Sequence, residues 1–147
     1  MSQTTHHTAA RGTAGVRVVG IILIVLGAVF VVAGVGTYAV VSSTLADQRI
    51  TVSDDAAHFA GKQVKGPFTA YAQANVIDKH ATEIGGGKTY SELPQDDPNR
   101  ATVMTASFLQ ASLFTSVVAF GVAAFVAVMG VVVVLLGWSL TRLGRVA

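Results

Sequence analysis

Two long stretches of this chain carry no Lys, Arg, Asp or Glu: 29 residues between Arg17 and Asp47, and 41 between Arg100 and Arg142. That distribution constrains the fold more than any other feature. A soluble domain has about 25% charged residues spread over its surface. This chain of 147 residues has 12%, against 52% apolar. It holds too little other apolar material to bury both runs as core helices, so lipid is the solvent that suits them.

The first run, residues 18–41, reads VVGIILIVLGAVFVVAGVGTYAVV. A helix of that length reaches about 36 Å, enough to cross a hydrocarbon core of ~30 Å. A backbone in lipid must satisfy its own hydrogen bonds, so the run is expected to be helical despite its many valines. It is too long for the apolar region of a cleaved signal peptide and reads as an uncleaved anchor. The second run has its apolar centre at 113–137, inside one long helix expected over 98–142. Asp97 suits the N-cap and Pro98 the first helical position. Residues 99–112 of that helix are expected outside the membrane. The fold class predicted is therefore all-α: a two-helix transmembrane hairpin with a small, mainly helical extracytoplasmic cap over 42–97.

Arginine placement sets the expected orientation. Arg11 and Arg17 precede the first run without an acid; Arg142 and Arg145 follow the second in the same way. Residues 47–100 hold six basic and eight acidic groups. Lys and Arg close to the ends of spans mark the cytoplasmic side. Both termini are expected in the cytoplasm, as a disordered tail over 1–17 that includes His6 and His7 and a short tail over 143–147. Residues 42–110 are expected outside the plasma membrane. Trp138 then suits the inner interface and Tyr38 the outer one, where amphipathic rings are favoured. The basic balance of the chain is a topology signal, and no nucleic-acid partner is expected.

Within the cap, Arg49-Ile50-Thr51-Val52 reads as a short strand. Ser53 or Asp54 then caps a short helix through Ala56, Ala57, His58 and Phe59, ended by Gly61. Gly66-Pro67 opens a second helix in which Phe68, Tyr71, Ala74, Ile77, Ala81 and Ile84 recur at three- or four-residue steps. Gly85-Gly86-Gly87 ends it. Thr89 and Glu92 fit a capping box for one more turn, stopped by Pro94.

Chemical motifs are sparse. Gly86-Gly87-Lys88-Thr89 ends like a phosphate-binding loop, but Thr82 stands where that loop needs glycine and Pro94 forbids the long helix that follows one. A helix C-cap and turn is the reading instead. His58 and His80, with Asp54, Asp55 or Glu83, would make the minimum set for a non-haem iron site, yet no spacing enforces their convergence, and no metal or other cofactor is expected. No serine lies in a nucleophile elbow. The absence of cysteine removes disulfides, thiolate chemistry and a lipidated-cysteine anchor. Spans without ionisable groups exclude proton relays, carboxylate ion sites and voltage sensing.

The strongest positive pattern is a series of small residues. Gly20, Gly27 and Gly34 recur every seven residues in the first run, and Ala123, Gly130 and Gly137 do the same in the second. Ala119, Ala123 and Ala127 add a small-xxx-small row. Sevenfold spacing keeps one stripe facing a neighbour, and small side chains let membrane helices approach closely. These eight residues are the expected helix-packing interface, within the chain or toward a partner.

The run ITVSDDAAHFAGKQVKGPFTAYAQANVIDKHA, with GGKTYSEL and ATVMTASFLQASLFTSVVAFGVAAF, resembles a family of small two-span actinobacterial membrane proteins of unknown function. Some members carry the label of an aromatic ring-opening dioxygenase. The resemblance spans about residues 18–142 and implies two spans with an outward loop. It carries no catalytic residue to a position in this chain.

The function expected is that of a non-enzymatic accessory or scaffold subunit of a larger plasma-membrane complex, respiratory or envelope-building. Its partners would be the lipid bilayer and other integral membrane proteins. One alternative is a homo-oligomeric pore or structural protein, with Thr37, Ser112, Thr115 and Ser116 along a polar path. Another is an outer-face metal-dependent enzyme or ligand sensor built on His58 and His80.

Overall fold

The computed structural model describes residues 6–146, with side chains described over 14–144. It contains three helices: α1 (His6–Asp47), α2 (Pro67–Ile84) and α3 (Arg100–Val146). Helices α1 and α3 are long and apolar enough to cross a membrane over Ala14–Asp47 and Arg100–Gly144. No strand occurs among the described residues; one antiparallel bridge pairs Thr51 with Gln63.

Both long helices overrun the limits expected from composition. α1 starts at His6, so residues 6–17 are helical rather than a disordered tail, and α3 continues through residues 143–146. Once a helix is nucleated by a long run, each further residue adds one hydrogen bond at little cost. No proline interrupts either end. Residues 1–5 and 147 lie outside the described residues. At its start α3 is shorter than expected, by two residues. Asp97 uses its carboxylate on the Asn99 N–H at 2.8 Å, a local turn that competes with helix, and the first α-type bond runs from Val103 N–H to the Asn99 carbonyl.

The chain divides by its contacts into two units: Met1–Gly36 with Ala123–Ala147, and Thr37–Val122. The first consists of helix against helix. Gly20 faces Gly137, Gly27 faces Gly130 and Gly34 faces Ala123. One number rises by seven as the other falls by seven, so α1 and α3 run antiparallel there.

The second unit takes in the connecting segments and α2. Its core joins Leu45 of α1, Val52 and Val64 of the loop, Ala70 and Ala74 of α2, and Leu113 and Phe120 of α3. The Tyr38 and Phe120 rings meet at 4.7 Å, and Tyr71 meets Phe114 edge-on at 5.9 Å. A second small cluster packs Ala81, Leu93 and Val103 with Tyr90 and Ala106.

The loop between α1 and α2 departs from the reading of a strand followed by a helix. Arg49 has φ +53, so the chain turns sharply before a strand can begin. The pairing that follows is three bonds long: Val52 N–H to Lys62 O, Gly61 N–H to Val52 O, and Val64 N–H to Ile50 O. Residues 56–59 are irregular, with a bend over 57–59, and form no helix. Phe59 at φ +63 breaks the helical path, and Gly61 at φ +70 then folds the chain back onto Val52.

α2 begins and ends where the sequence predicts. Pro67 fills its first position, where a missing N–H costs nothing. Its end uses the three glycines for different reasons. Gly85 is buried, and a Cβ there would lie 2.5 Å from the Lys88 carbonyl. Gly86 and Gly87 both have positive φ, at +62 and +86. Gly86 N–H bonds to Glu83 O and Gly87 N–H to Thr82 O, the pair of bonds that defines a Schellman cap.

Gln73 is the buried polar residue of this core. Its Oε1 accepts from the Ser53 N–H at 2.9 Å, and its Nε2 lies 3.4 Å from the Ser53 hydroxyl. One side chain thus ties the loop to α2. Gln73→Leu removes the acceptor and leaves a part-buried N–H unpaired, which costs about 1–3 kcal/mol. Thermal unfolding of the purified chain should show the loss. Amide exchange at Ser53 should accelerate with it.

Candidate functional site

The arrangement that most restricts what this chain can do is the seam of the first unit. An added Cβ on Gly20 would lie 2.7 Å from Gly137 O, and one on Gly137 2.6 Å from Gly20 O. Gly27 and Gly130 show the same reciprocity, at 2.6 and 2.7 Å. On Gly34 a Cβ would meet Ala123 O and Ala127 N, both at 2.6 Å. The two backbones touch directly, the approach at which Cα–H···O contacts form. Seven of the eight small residues expected at an interface therefore meet here. Ala119 lies in the other unit, half-buried. Gly36 and Gly121 have nothing within 4 Å of an added Cβ.

The seam's outer faces are bare. Only 17% of each apolar window is buried, and Val18, Ile22, Val25, Val29 and Val32 of α1 are exposed, with Phe125, Val128, Leu135 and Leu136 of α3. Ile24, Val25, Ala28, Val29, Val32 and Ala33 line a shallow, almost wholly apolar depression of about 530 Å³ along α1. Trp138 is half-exposed, with the Arg142 guanidinium 4.0 Å from its ring centre, a cation–π contact.

Ion-pair chemistry, among the described residues, lies in the second unit. Asp55 is its focus. The His80 ring Nε2 lies 2.8 Å from Asp55 Oδ2, and Lys79 Nζ lies 3.4 Å from the same oxygen. The hydrogen bond from His80 holds the Asp55 carboxyl below its ordinary 3.8 against the opposing effect of desolvation, with smaller help from the histidine's charge and from Lys79. Adjacent residues of α2 thus reach a loop carboxylate that is 24 and 25 positions away. No periodicity in the sequence relates them, since the loop's path decides the contact.

Of the candidate metal residues, His80 and Asp55 meet, but the set does not come together. His58 is turned toward Phe59, ring centres 6.4 Å apart, while His80 is engaged with Asp55. Among the described residues no three His, Asp or Glu side chains group as a metal ion requires. The hydroxyls of Thr115 and Ser116 donate to carbonyls one turn back, Ala111 and Ser112. Lys88 and Thr89 belong to the turn after α2. The Thr89 N–H and hydroxyl both donate to Glu92 Oε2, at 2.8 and 2.9 Å, and hold that carboxyl low.

Arg100 was not singled out by its position in the sequence, yet it joins that turn to α3. Its guanidinium donates to the Tyr90 carbonyl at 3.1 Å and to the Leu93 carbonyl, and lies 4.3 Å from the Tyr90 ring centre. A planar fork that stacks and donates at once is particular to arginine.

No protein-family model, no curated protein and no solved structure matches the chain.

Gly27→Leu forces side-chain atoms into the backbone of α3. It should lower the stability of the detergent-solubilised protein by about 1–3 kcal/mol, as overpacking does. Gly36→Leu, with open space around it, should leave the melting midpoint unchanged. The Asp55 carboxyl is lowered on folding, so its contribution is fully present above pH 3.8 and is lost as pH falls further. A pH titration of the melting midpoint should therefore show an acid-side fall that is smaller in Asp55→Asn.

Proposed function

We propose that this chain is an integral membrane protein with two spans, acting as an accessory or scaffold subunit of a larger plasma-membrane assembly. The observation that carries this reading is the seam together with its bare apolar exterior. Contact between α1 and α3 uses glycine and alanine, while valine, leucine, isoleucine and phenylalanine face outward. In water that arrangement exposes the most apolar surface; in lipid it is the packing expected of membrane helices, where close backbone approach replaces burial as the attraction.

Residues 42–110 lie outside the cell and both ends in the cytoplasm. The arginines before and after the spans support that orientation. The polar work of the subunit is contact. The absence of ionisable residues in the spans speaks against transport of protons or ions. The apolar depression of α1, lined in part by Ala28 and Ala33, supports a neighbouring helix as the partner. A respiratory or envelope-building assembly is the host we favour.

Affinity purification of the tagged chain from its native membrane in mild detergent, followed by mass spectrometry, tests the reading. A defined set of integral membrane proteins should accompany it. Ala33→Trp, which fills the depression without touching the seam, should reduce their recovery at least tenfold. If the wild-type chain is recovered alone as a monomer, the scaffold reading fails.

A further inference from the structure

A groove of about 650 Å³ lies where the loop meets α1 and the first turn of α2, entirely within the second unit. Tyr38, Ser42, Phe59, Lys62, Lys65 and Phe68 line it. Its walls are fixed. Ser42 Oγ donates to the Lys65 carbonyl at 2.7 Å, and Gln63 Nε2 donates to the Ala46 carbonyl at 3.0 Å. The Lys65 N–H donates to Thr69 Oγ1 at 3.2 Å.

Three features of this groove point the same way. Its aromatic rings face outward: Phe68 is 74% exposed and Phe59 40%. Phe59 sits in the left-handed region, a conformation a bulky residue rarely holds. Its charge is of one sign. Lys62 and Lys65 line it with no Asp or Glu, and among the described residues neither lysine has a carboxylate within ion-pairing distance. Its location is the last feature. Tyr38 and Ser42 belong to α1 within the charge-free run. If that run spans a bilayer, the groove opens at the level of the headgroups.

We infer that this groove holds an anionic phospholipid of the surrounding bilayer, its phosphate between Lys62 and Lys65 and its upper acyl chain against Phe68, Phe59 and Tyr38. The inference rests on the two-span reading. Aromatic rings and lysines with apolar stems are the side chains that settle at the headgroup level. Charge complementarity selects an anionic lipid over a zwitterionic one, and each lysine near an anionic surface is worth roughly a fivefold enrichment. The lipid covers rings that would otherwise stand in water.

The test uses the full-length chain in mild detergent, with native mass spectrometry of retained lipid. Phosphatidylglycerol and phosphatidylcholine with identical acyl chains are offered together. The wild-type chain should retain the phosphatidylglycerol about tenfold or more over the other. Lys62→Gln with Lys65→Gln should bring the two within twofold while leaving the melting midpoint unchanged. Phe68→Ser should reduce retention of both. Millimolar inorganic phosphate should displace neither.

Equal retention by the wild-type chain, an unchanged preference in the double glutamine variant, or displacement by phosphate alone would each overturn the inference. Alkaline carbonate extraction of expressing membranes separates the two levels. Release of the chain into the supernatant removes the two-span reading itself. Retention in the pellet without a lipid preference removes the groove's occupant alone.

Discussion

Direct contact between two backbones is the constraint on which the first unit depends. At Gly20–Gly137 and Gly27–Gly130 each carbonyl occupies the place where the other residue's side chain would begin. Neither helix can rotate without driving a valine or isoleucine into that space, because Ile24, Val31 and Val134 already flank the glycines. Register and face follow together. Apolar side chains displaced from the contact have nowhere to go but outward, and so the exterior is nearly continuous in valine, leucine and isoleucine. A fold that places its smallest residues inside and its largest outside inverts the pattern of a water-soluble core. In the bilayer proposed for this chain the contradiction disappears, because lipid gives no hydrophobic preference between the two faces.

The second unit follows the opposite rule. Leu45, Val52, Val64, Leu113 and Phe120 are gathered inside, and polar groups hold the connecting segments in place. Gln73 fixes the loop from α2, Ser42 fixes it from α1, Gln63 of the loop reaches the Ala46 carbonyl of α1, and Arg100 fixes the turn at residues 89–93 from α3. Each tie joins a side chain of a helix or the loop to a backbone group that no regular element would satisfy. Phe59 and Phe68 stand exposed beside Lys62 and Lys65, neither of which has a carboxylate partner among the described residues, the combination from which the lipid site is inferred.

Different residues made different parts of this legible. The glycine series was readable because sevenfold spacing is a property of one helix, and the partner series shares it. α2 was readable from Gly66-Pro67 at one end and three glycines at the other, each a local backbone requirement. The segment 49–61 was misread as strand and helix because its conformation is imposed from elsewhere. Arg49 and Phe59 take left-handed backbones that neither residue favours, and the bonds that fix the segment around them pair Val52 with Gly61 and Lys62, Val64 with Ile50, and Ser53 with Gln73, all outside a local window. The same holds for His80, whose partner Asp55 is reached only because the loop folds back. His58, three residues from that carboxylate, instead faces Phe59.

The sequence by itself determined the two long apolar helices and the seam between them. Charge placement and small-residue period act within a single helix and survive whatever the rest of the chain does. Only the tertiary structure decided the polar ties, the path of the loop and the groove at its base. Those depend on which distant groups the folded chain brings within hydrogen-bonding distance, and a bond of about 3 Å between residues of separate segments leaves no periodic trace in the order of the amino acids.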